Sequence, residues 1–273
     1  MKNWLLFLVI ITIFSQCKTT QVPDTLGDAK NAQNYGYTPI DPLPVNVKGI
    51  TPVIGSTLNQ TVLDLLPDET VRLAIGEFQG DAGVSYGPAK IGVKGGRYVV
   101  ILDYIKFNTK SIPVSIKTES KSGSDPMDPK VQRNAYVSEE AKPDDIIVPV
   151  YVGIGLRLTA NITVLEGKVD LGNLLALGVS AQSKKVLGTL VIQTLGISGE
   201  GVTGSIPLPS EINQTSVQNA IQSLGAIRAS IYSGKTSINP RVVAVYNNLG
   251  GGEKTVNSFI SQLLAKPINL IDK

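Results

Sequence analysis

Apolar and polar residues alternate most regularly between Val148 and Val164, where every even position is apolar and the odd positions are mostly small or polar. Successive side chains of a β-strand point to opposite faces, so a period of two predicts a strand with one face in a core. At about 3.3 Å per residue this strand is longer than is usual in globular proteins, and we expect Pro149, Gly153 and Gly155 to mark bends or bulges.

Other runs of β-branched and aromatic residues, bounded by Gly, Pro and Asn, predict further strands. Three of them precede the alternating segment, namely TVRLAIGEF, GRYVVILDYIKFN and SIPVSIKTE. Two follow it, KVLGTLVIQTLGIS and SINPRVVAVYN, and the first of these two is a candidate pairing partner for the alternating strand.

Apolar residues spaced by three and four predict helices between these strands. The strongest pattern is QTSVQNAIQSLGAIRASIYSGK, with a capping box from Thr215 to Gln218. STLNQTVLDLLPDE with Ser56 as its N-cap, a short piece capped by Asp170, and EKTVNSFISQLLAKP predict three more helices. The fold class is therefore α+β, an antiparallel or mixed β-sheet with a few packed amphipathic helices.

The composition limits the chemistry of this chain of 273 residues, which has a formal charge of +3, no His and one Cys. So small a basic surplus argues against a nucleic-acid partner. Without His the chain lacks the usual general base near neutral pH and the commonest zinc ligand. We therefore predict no catalytic residue, no metal and no cofactor. The acidic segment 119–145 carries oxygen ligands of the kind that calcium prefers but matches no twelve-residue calcium loop, so calcium binding there stays an open alternative.

The amino terminus MKNWLLFLVIITIFSQCKTT has an early Lys, an apolar run and then small or polar residues, the layout of an export signal in residues 1–16. IFSQC resembles the lipobox of bacterial lipoproteins, in the relaxed form found in Bacteroidota, with Phe14 where Leu is commonest and Gln16 where Gly or Ala is commonest. The resemblance implies cleavage before Cys17 and attachment of acyl chains to it.

The residues after Cys17 bear on where such a lipoprotein would reside. In the family, Asp in the next position holds the protein at the inner membrane, whereas Lys18 stands here, which implies the outer membrane. The following TTQ lacks the acids of a surface-export signal, so the resemblance points to the periplasmic face. Residues 17–47 have several Pro and no hydrophobic period, which predicts a flexible tether. The folded domain is then 48–273, with the loop 119–145 as the place for any sub-boundary.

Two glycine-containing stretches invite comparison with phosphate-binding loops. ASIYSGKT matches a relaxed form of the phosphate-binding motif but lies at the end of a predicted helix. A phosphate-binding loop leads from a strand into a helix, so we expect no nucleotide there. NNLGGGEKT has the correct context, and if a small-ligand site is built from backbone amides, we expect it at Gly250, Gly251, Gly252 and Thr255.

Three hypotheses about function follow from these patterns. The first is a non-enzymatic envelope lipoprotein, held in the membrane through Cys17, that binds or scaffolds a protein partner or associates with itself. The second is an oligomeric outer-membrane channel or secretion component whose subunits form a ring and use the strand 148–164. The third is an enzyme based on carboxylates or on Ser/Lys chemistry.

Overall fold

The alternating segment forms the central strand of a curled sheet in the computed structural model, which describes residues 36–80, 84–87, 91–120, 131–176, 184–233, 235–250 and 253–271. All nine even positions from Val148 to Val164 are buried, so the predicted strand is confirmed. In chain order the strands are β1 Tyr37–Asn46, β2 Asp68–Phe78, β3 Val84–Tyr86, β4 Ile91–Val93, β5 Arg97–Ser120, β6 Val131–Val137, β7 Ile146–Val164, β8 Lys168–Asp170, β9 Val186–Leu195, β10 Ile197–Ser198, β11 Ser210–Glu211, β12 Ser237–Ile238, β13 Arg241–Tyr246 and β14 Ile268–Asn269. The helices are α1 Leu58–Asp64, α2 Leu171–Ala176, α3 Glu200–Thr203, α4 Gln214–Ile231 and α5 Glu253–Ala265.

The sheet is organised around an antiparallel ladder of eighteen residue pairs between β5 and β7. The other edge of β7 pairs first with β13 and then, from Gly155 onwards, with β9. The other edge of β5 likewise pairs first with β2, as far as Phe107, and then with β6 from Val114. β1 joins β13 antiparallel and β14 joins β1 in parallel, so the sheet is mixed and the predicted α+β class is confirmed.

The core lies on the face that carries the even positions of β5 and β7. The apolar side chains at these positions pack in one buried cluster with residues of the five helices just given, among them Leu63 of α1, Leu174 of α2, Val202 of α3, Ile227 of α4 and Phe259 of α5. The odd positions face a second and smaller cluster, which contains no helix residue. The larger core, to which all the helices contribute, thus lies on one face of the sheet and the smaller cluster on the other.

The amino-terminal part of the sheet corrects the predicted tether. The prediction extended the tether over residues 17–47, but Tyr37–Asn46 is strand β1, which pairs with β13. Its three prolines are accommodated because the register shifts between Pro39 and Leu43 and because β14 covers the other edge only at Val45 and Asn46. Proline is tolerated at such bulges and edges, where no ladder hydrogen bond is lost.

Three local predictions also need correction. GRYVVILDYIKFN and SIPVSIKTE are one continuous strand, β5, because Pro113 falls in the gap between the β2 and β6 pairings. The N-cap of α1 is Thr57 and not Ser56, and the capping box of α4 joins Asn213 to Ser216 and not Thr215 to Gln218. β5 and β6, which precede and follow residues 121–130, pair with each other, so both flanks of the acidic segment belong to the same sheet.

Candidate binding cleft

Two opposite charges lie side by side in the middle of the odd face of the sheet. Asp103 of β5 and Arg157 of β7 are direct cross-strand partners, and their side chains are 0% and 5% exposed. Arg157 donates from Nε to Asp103 Oδ1 and from a terminal nitrogen to Oδ2, both at 2.8 Å. This two-point geometry is the strongest form of the Arg–carboxylate pair.

The Arg157 guanidinium also donates to two backbone carbonyl groups that have no partner in the sheet ladders. It donates to the carbonyl oxygen of Ile40 at 2.6 Å and to that of Val243 at 2.8 Å. Ile40 lies where the β1 register shifts, and Val243 lies where the β13 register shifts. Arg157 therefore satisfies two carbonyls that bulges leave free, which offsets the cost of burying them.

Tyr37 completes the network, since its hydroxyl donates to Asp103 Oδ2 at 2.6 Å. Burial, together with the Asp103 charge and this hydrogen bond, raises the pKa of Tyr37 well above its usual value. Burial acts to lower the pKa of Arg157, but its hydrogen bonds to Asp103 and the Asp103 charge raise it overall. Both groups therefore stay protonated at neutral pH, and the network carries a neutralised ion pair.

Two glycines of β7 allow the sheet to curl around this network. A methyl group at Gly155 would collide with the carbonyl oxygen of Tyr104, and one at Gly153 with that of Lys106. The β5 backbone thus leans over the odd face at these points, where a larger residue has no room. The register between β5 and β7 is continuous through both glycines, so they mark curvature and not a bulge.

A cleft of about 790 Å³ opens on this odd face, with Arg157 at its base. Its size is within the range of small-ligand and peptide sites. Its walls come from β1, β2, β3, β5, β7, β9 and α5, and its polar and aromatic lining comprises Thr38, Asp41, Phe78, Gln79, Ser85, Tyr86, Thr159, Asn161, Gln193, Asn247, Glu253 and Asn257.

The lining combines neutral hydrogen-bonding groups with apolar side chains and a weakly acidic rim. Nine lining residues carry amides or hydroxyls, nine are apolar, and the exposed carboxylates of Asp41 and Glu253 are the acidic groups. Burial raises the pKa of Tyr86 to about 12, so its hydroxyl is neutral at physiological pH. The positive charge of Arg157 is compensated by Asp103. Such a surface suits a ligand rich in amide groups.

Of the residues predicted as a ligand loop, Gly250 and Thr255 do not line this cleft. Gly250 has a φ of +65°, which explains the glycine, and Gly251 and Gly252 lie outside the described residues, as does the lipidation residue Cys17. The Thr255 side chain is fully buried, and its hydroxyl donates to the Arg133 carbonyl oxygen of β6 at 2.9 Å. It helps to fix α5 on the sheet.

ASIYSGKT lies where the sequence placed it, at the end of α4, and β12 follows it. Within the described ranges, no group of three or more His, Cys, Asp or Glu is placed to hold a metal ion. Among the same residues, we find no helix with the length and hydropathy needed to cross a membrane.

Sequence reasoning missed the network at the base of the cleft. Asp103 and Arg157 each interrupt a strongly apolar strand, at YVVILDYIKF and VGIGLRLTANI, and a charge in such a run signals a buried pair. Which charges meet depends on the register of β5 and β7, and that is set by pairing and not by either strand alone.

Comparisons with known proteins give no guide to this site, because no protein-family model, no curated protein and no solved structure matches the chain.

Proposed function

We propose that this protein is a membrane-anchored cell-envelope lipoprotein that acts as a non-enzymatic binding module, held by acyl chains on Cys17 at the periplasmic face of the outer membrane. In this proposal the cleft on the odd face receives an extended segment of a protein partner. The single observation that carries it is the cleft itself, which lies on the continuous β5–β7 ladder and is lined by neutral amides and hydroxyls together with apolar side chains.

The composition of the cleft favours a polypeptide ligand. Thr159 and Asn161 of β7 and Gln193 of β9 present groups that both donate and accept, which is what backbone amides require. The rim carboxylates of Asp41 and Glu253 would complement a basic side chain in the same segment.

The same geometry supports a binding role over catalysis. The pKa values of Tyr37, Tyr86 and Arg157 are all raised away from neutrality, so these groups hold their protons instead of exchanging them. Efficient general acid–base catalysis needs a group whose pKa lies near the working pH.

A ring-forming channel component is the second candidate, and the length of the β5–β7 ladder favours it. Eighteen residue pairs exceed the roughly ten residues with which a strand crosses a bilayer. The even positions of β7 are packed in the core, so this function requires the helices to leave that face.

The native mass of the full-length protein, gently extracted in detergent with its bound proteins identified, tests both candidates. We compare the wild type with Asn161→Lys/Gln193→Lys, which adds charge and bulk to the cleft, and with Gln218→Lys/Gln222→Lys, which adds the same charge to exposed positions of α4. A partner that is kept by the α4 variant and lost by the cleft variant supports the binding module.

Other results separate the alternatives. A partner kept equally by both variants refutes the cleft as its site, and a homo-oligomeric ring favours the channel. The anchor is tested separately, since Cys17→Ser should move the protein from the membrane to the soluble envelope fraction. If it stays in the membrane fraction, acylation of Cys17 does not hold it there.

A further inference from the structure

Three chain connections meet at the end of the sheet where β7 ends, at Val164. They are the β4–β5 turn, the β7–β8 turn and the residues that enter β9. The backbone N–H of Lys94 donates to the Gly167 carbonyl oxygen at 3.0 Å, and that of Leu165 donates to the Lys185 carbonyl oxygen at 2.8 Å. These hydrogen bonds hold the three connections together as one surface.

This surface exposes apolar side chains from each connection. Val93 is 48% exposed, Leu165 is 46% exposed and Leu187 is 60% exposed. One exposed aliphatic residue is ordinary, but several on adjoining turns form a patch that favours a less polar neighbour than water.

The same turns carry a surplus of positive charge. Lys94, Lys168, Lys184 and Lys185 are all exposed, against the single exposed acid Glu166. The whole chain has a formal charge of only +3, so this excess is a local property of these turns. We call this surface the basic end, defined by Val93, Lys94, Leu165, Glu166, Lys168, Lys184, Lys185 and Leu187.

We propose that the basic end docks on a lipid bilayer that contains anionic lipids. Lysines attract an anionic membrane surface, and their long apolar stems let the ammonium groups reach the headgroups while neighbouring side chains go deeper. Val93, Leu165 and Leu187 lie among the lysines and are placed to enter the interface between headgroups and acyl chains.

The combination of lysines and exposed aliphatic side chains at the basic end favours an anionic bilayer over other anionic ligands. A polyanion such as a nucleic acid would pair with the lysines and leave the aliphatic side chains in water. An anionic bilayer satisfies both sets of groups at once. This inference does not depend on the binding cleft or on acylation of Cys17.

The test places a polarity-sensitive fluorophore at the basic end of the full chain. All proteins carry Cys17→Ser, so that Glu166→Cys is the only thiol to be labelled. They are titrated with vesicles of phosphatidylcholine alone or with three-tenths phosphatidylglycerol, and brominated phosphatidylcholine in the vesicles quenches a probe that reaches the bilayer.

We expect blue-shifted and quenched fluorescence with phosphatidylglycerol vesicles and little change with phosphatidylcholine alone. Each lysine near an anionic surface contributes about a fivefold factor, so Lys94→Gln/Lys184→Gln/Lys185→Gln should raise the lipid concentration for half-maximal quenching about 100-fold. The matched control Lys48→Gln/Lys235→Gln/Lys254→Gln removes the same charge from exposed sites elsewhere and should change it less than twofold.

The N-terminal segment is the same in every variant, so the difference between the two triple variants isolates the basic end. A probe that stays in water while the protein sediments with the vesicles would overturn the proposal. Equal quenching without phosphatidylglycerol would also overturn it, because the bilayer would then bind without anionic lipids, and equal shifts for the two triple variants would overturn it because the lysines of the basic end would not be responsible.

Discussion

Substitution of Arg157 by Met tests whether the buried network holds the sheet together. Methionine keeps much of the apolar length of the arginine side chain but removes its charge and all of its donors. In the native protein those donors engage both carboxylate oxygens of Asp103 and the carbonyls of Ile40 and Val243.

The magnitude follows from what the substitution leaves behind. Asp103 has no exposed surface, and leaving one member of a buried ion pair without its partner costs about 3–5 kcal/mol. Two buried carbonyls also lose their hydrogen bonds, at roughly 1 kcal/mol each. A loss of about 5 kcal/mol is a large part of the roughly 5–15 kcal/mol that stabilises a typical domain.

The assay is a double-mutant cycle in urea, with the free energy of unfolding measured for the wild type, Arg157→Met, Asp103→Leu and the double variant. Removing both charges leaves no buried ion uncompensated. The free energy of unfolding of the double variant should therefore exceed that of Arg157→Met by about 2 kcal/mol or more. Arg157→Lys keeps the charge but not the fork geometry, and should lie between Arg157→Met and the wild type.

Two results would refute this reasoning. If Arg157→Met costs less than about 1 kcal/mol, the pair is solvated and behaves like a surface ion pair. If the effects of the two single substitutions simply add in the double variant, the two side chains do not interact in the native state.

Three further predictions rest on separate contacts. Gly155→Ala should destabilise the protein by about 2 kcal/mol or more in urea unfolding because its methyl group meets β5 backbone, whereas Gly201→Ala, with open space around it, should be neutral or slightly stabilising. Burial acts to raise the pKa of Glu69, but the hydroxyls of Tyr104 and Tyr232 and the charge of Arg228 lower it overall. A terminal nitrogen of Arg228 lies 2.6 Å from the Glu69 carboxylate, so Arg228→Gln should lower the free energy of unfolding by about 0.5 kcal/mol at pH 7. A lowered pKa contributes stability that is fully present above the unfolded value of 4.5 and is lost as the pH falls through the folded value, so the difference should be smaller at pH 3 than at pH 7 in urea unfolding. A chain that begins at Gly36 should keep a cooperative thermal transition, while one that begins after β1 should lose it, since β1 buries four apolar side chains at about 1.5–3 kcal/mol each.

Much of the fold could be predicted from local patterns. The period of two in 148–164 predicted β7, and the spacing of three and four predicted α4 and α5, because each pattern is the direct consequence of one buried face. β1 was missed because Pro39, Pro42 and Pro44 hide its alternation and because its bulge breaks the period: Tyr37 is in the smaller cluster, whereas Ile40, Leu43 and Val45 are in the main core.

The cleft could not be predicted in the same way, since it arises where β7 changes neighbours. β13 pairs with β7 as far as Gly153, and β9 takes over at Gly155. At such a point the two neighbouring strands diverge, and their backbones need other hydrogen-bond partners. Arg157 lies just beyond the exchange and reaches back to the carbonyls of Ile40 and Val243. The arginine that closes the gap in the sheet is therefore also the base of the cleft, so a substitution that fills the cleft without touching this network should alter binding and leave stability unchanged.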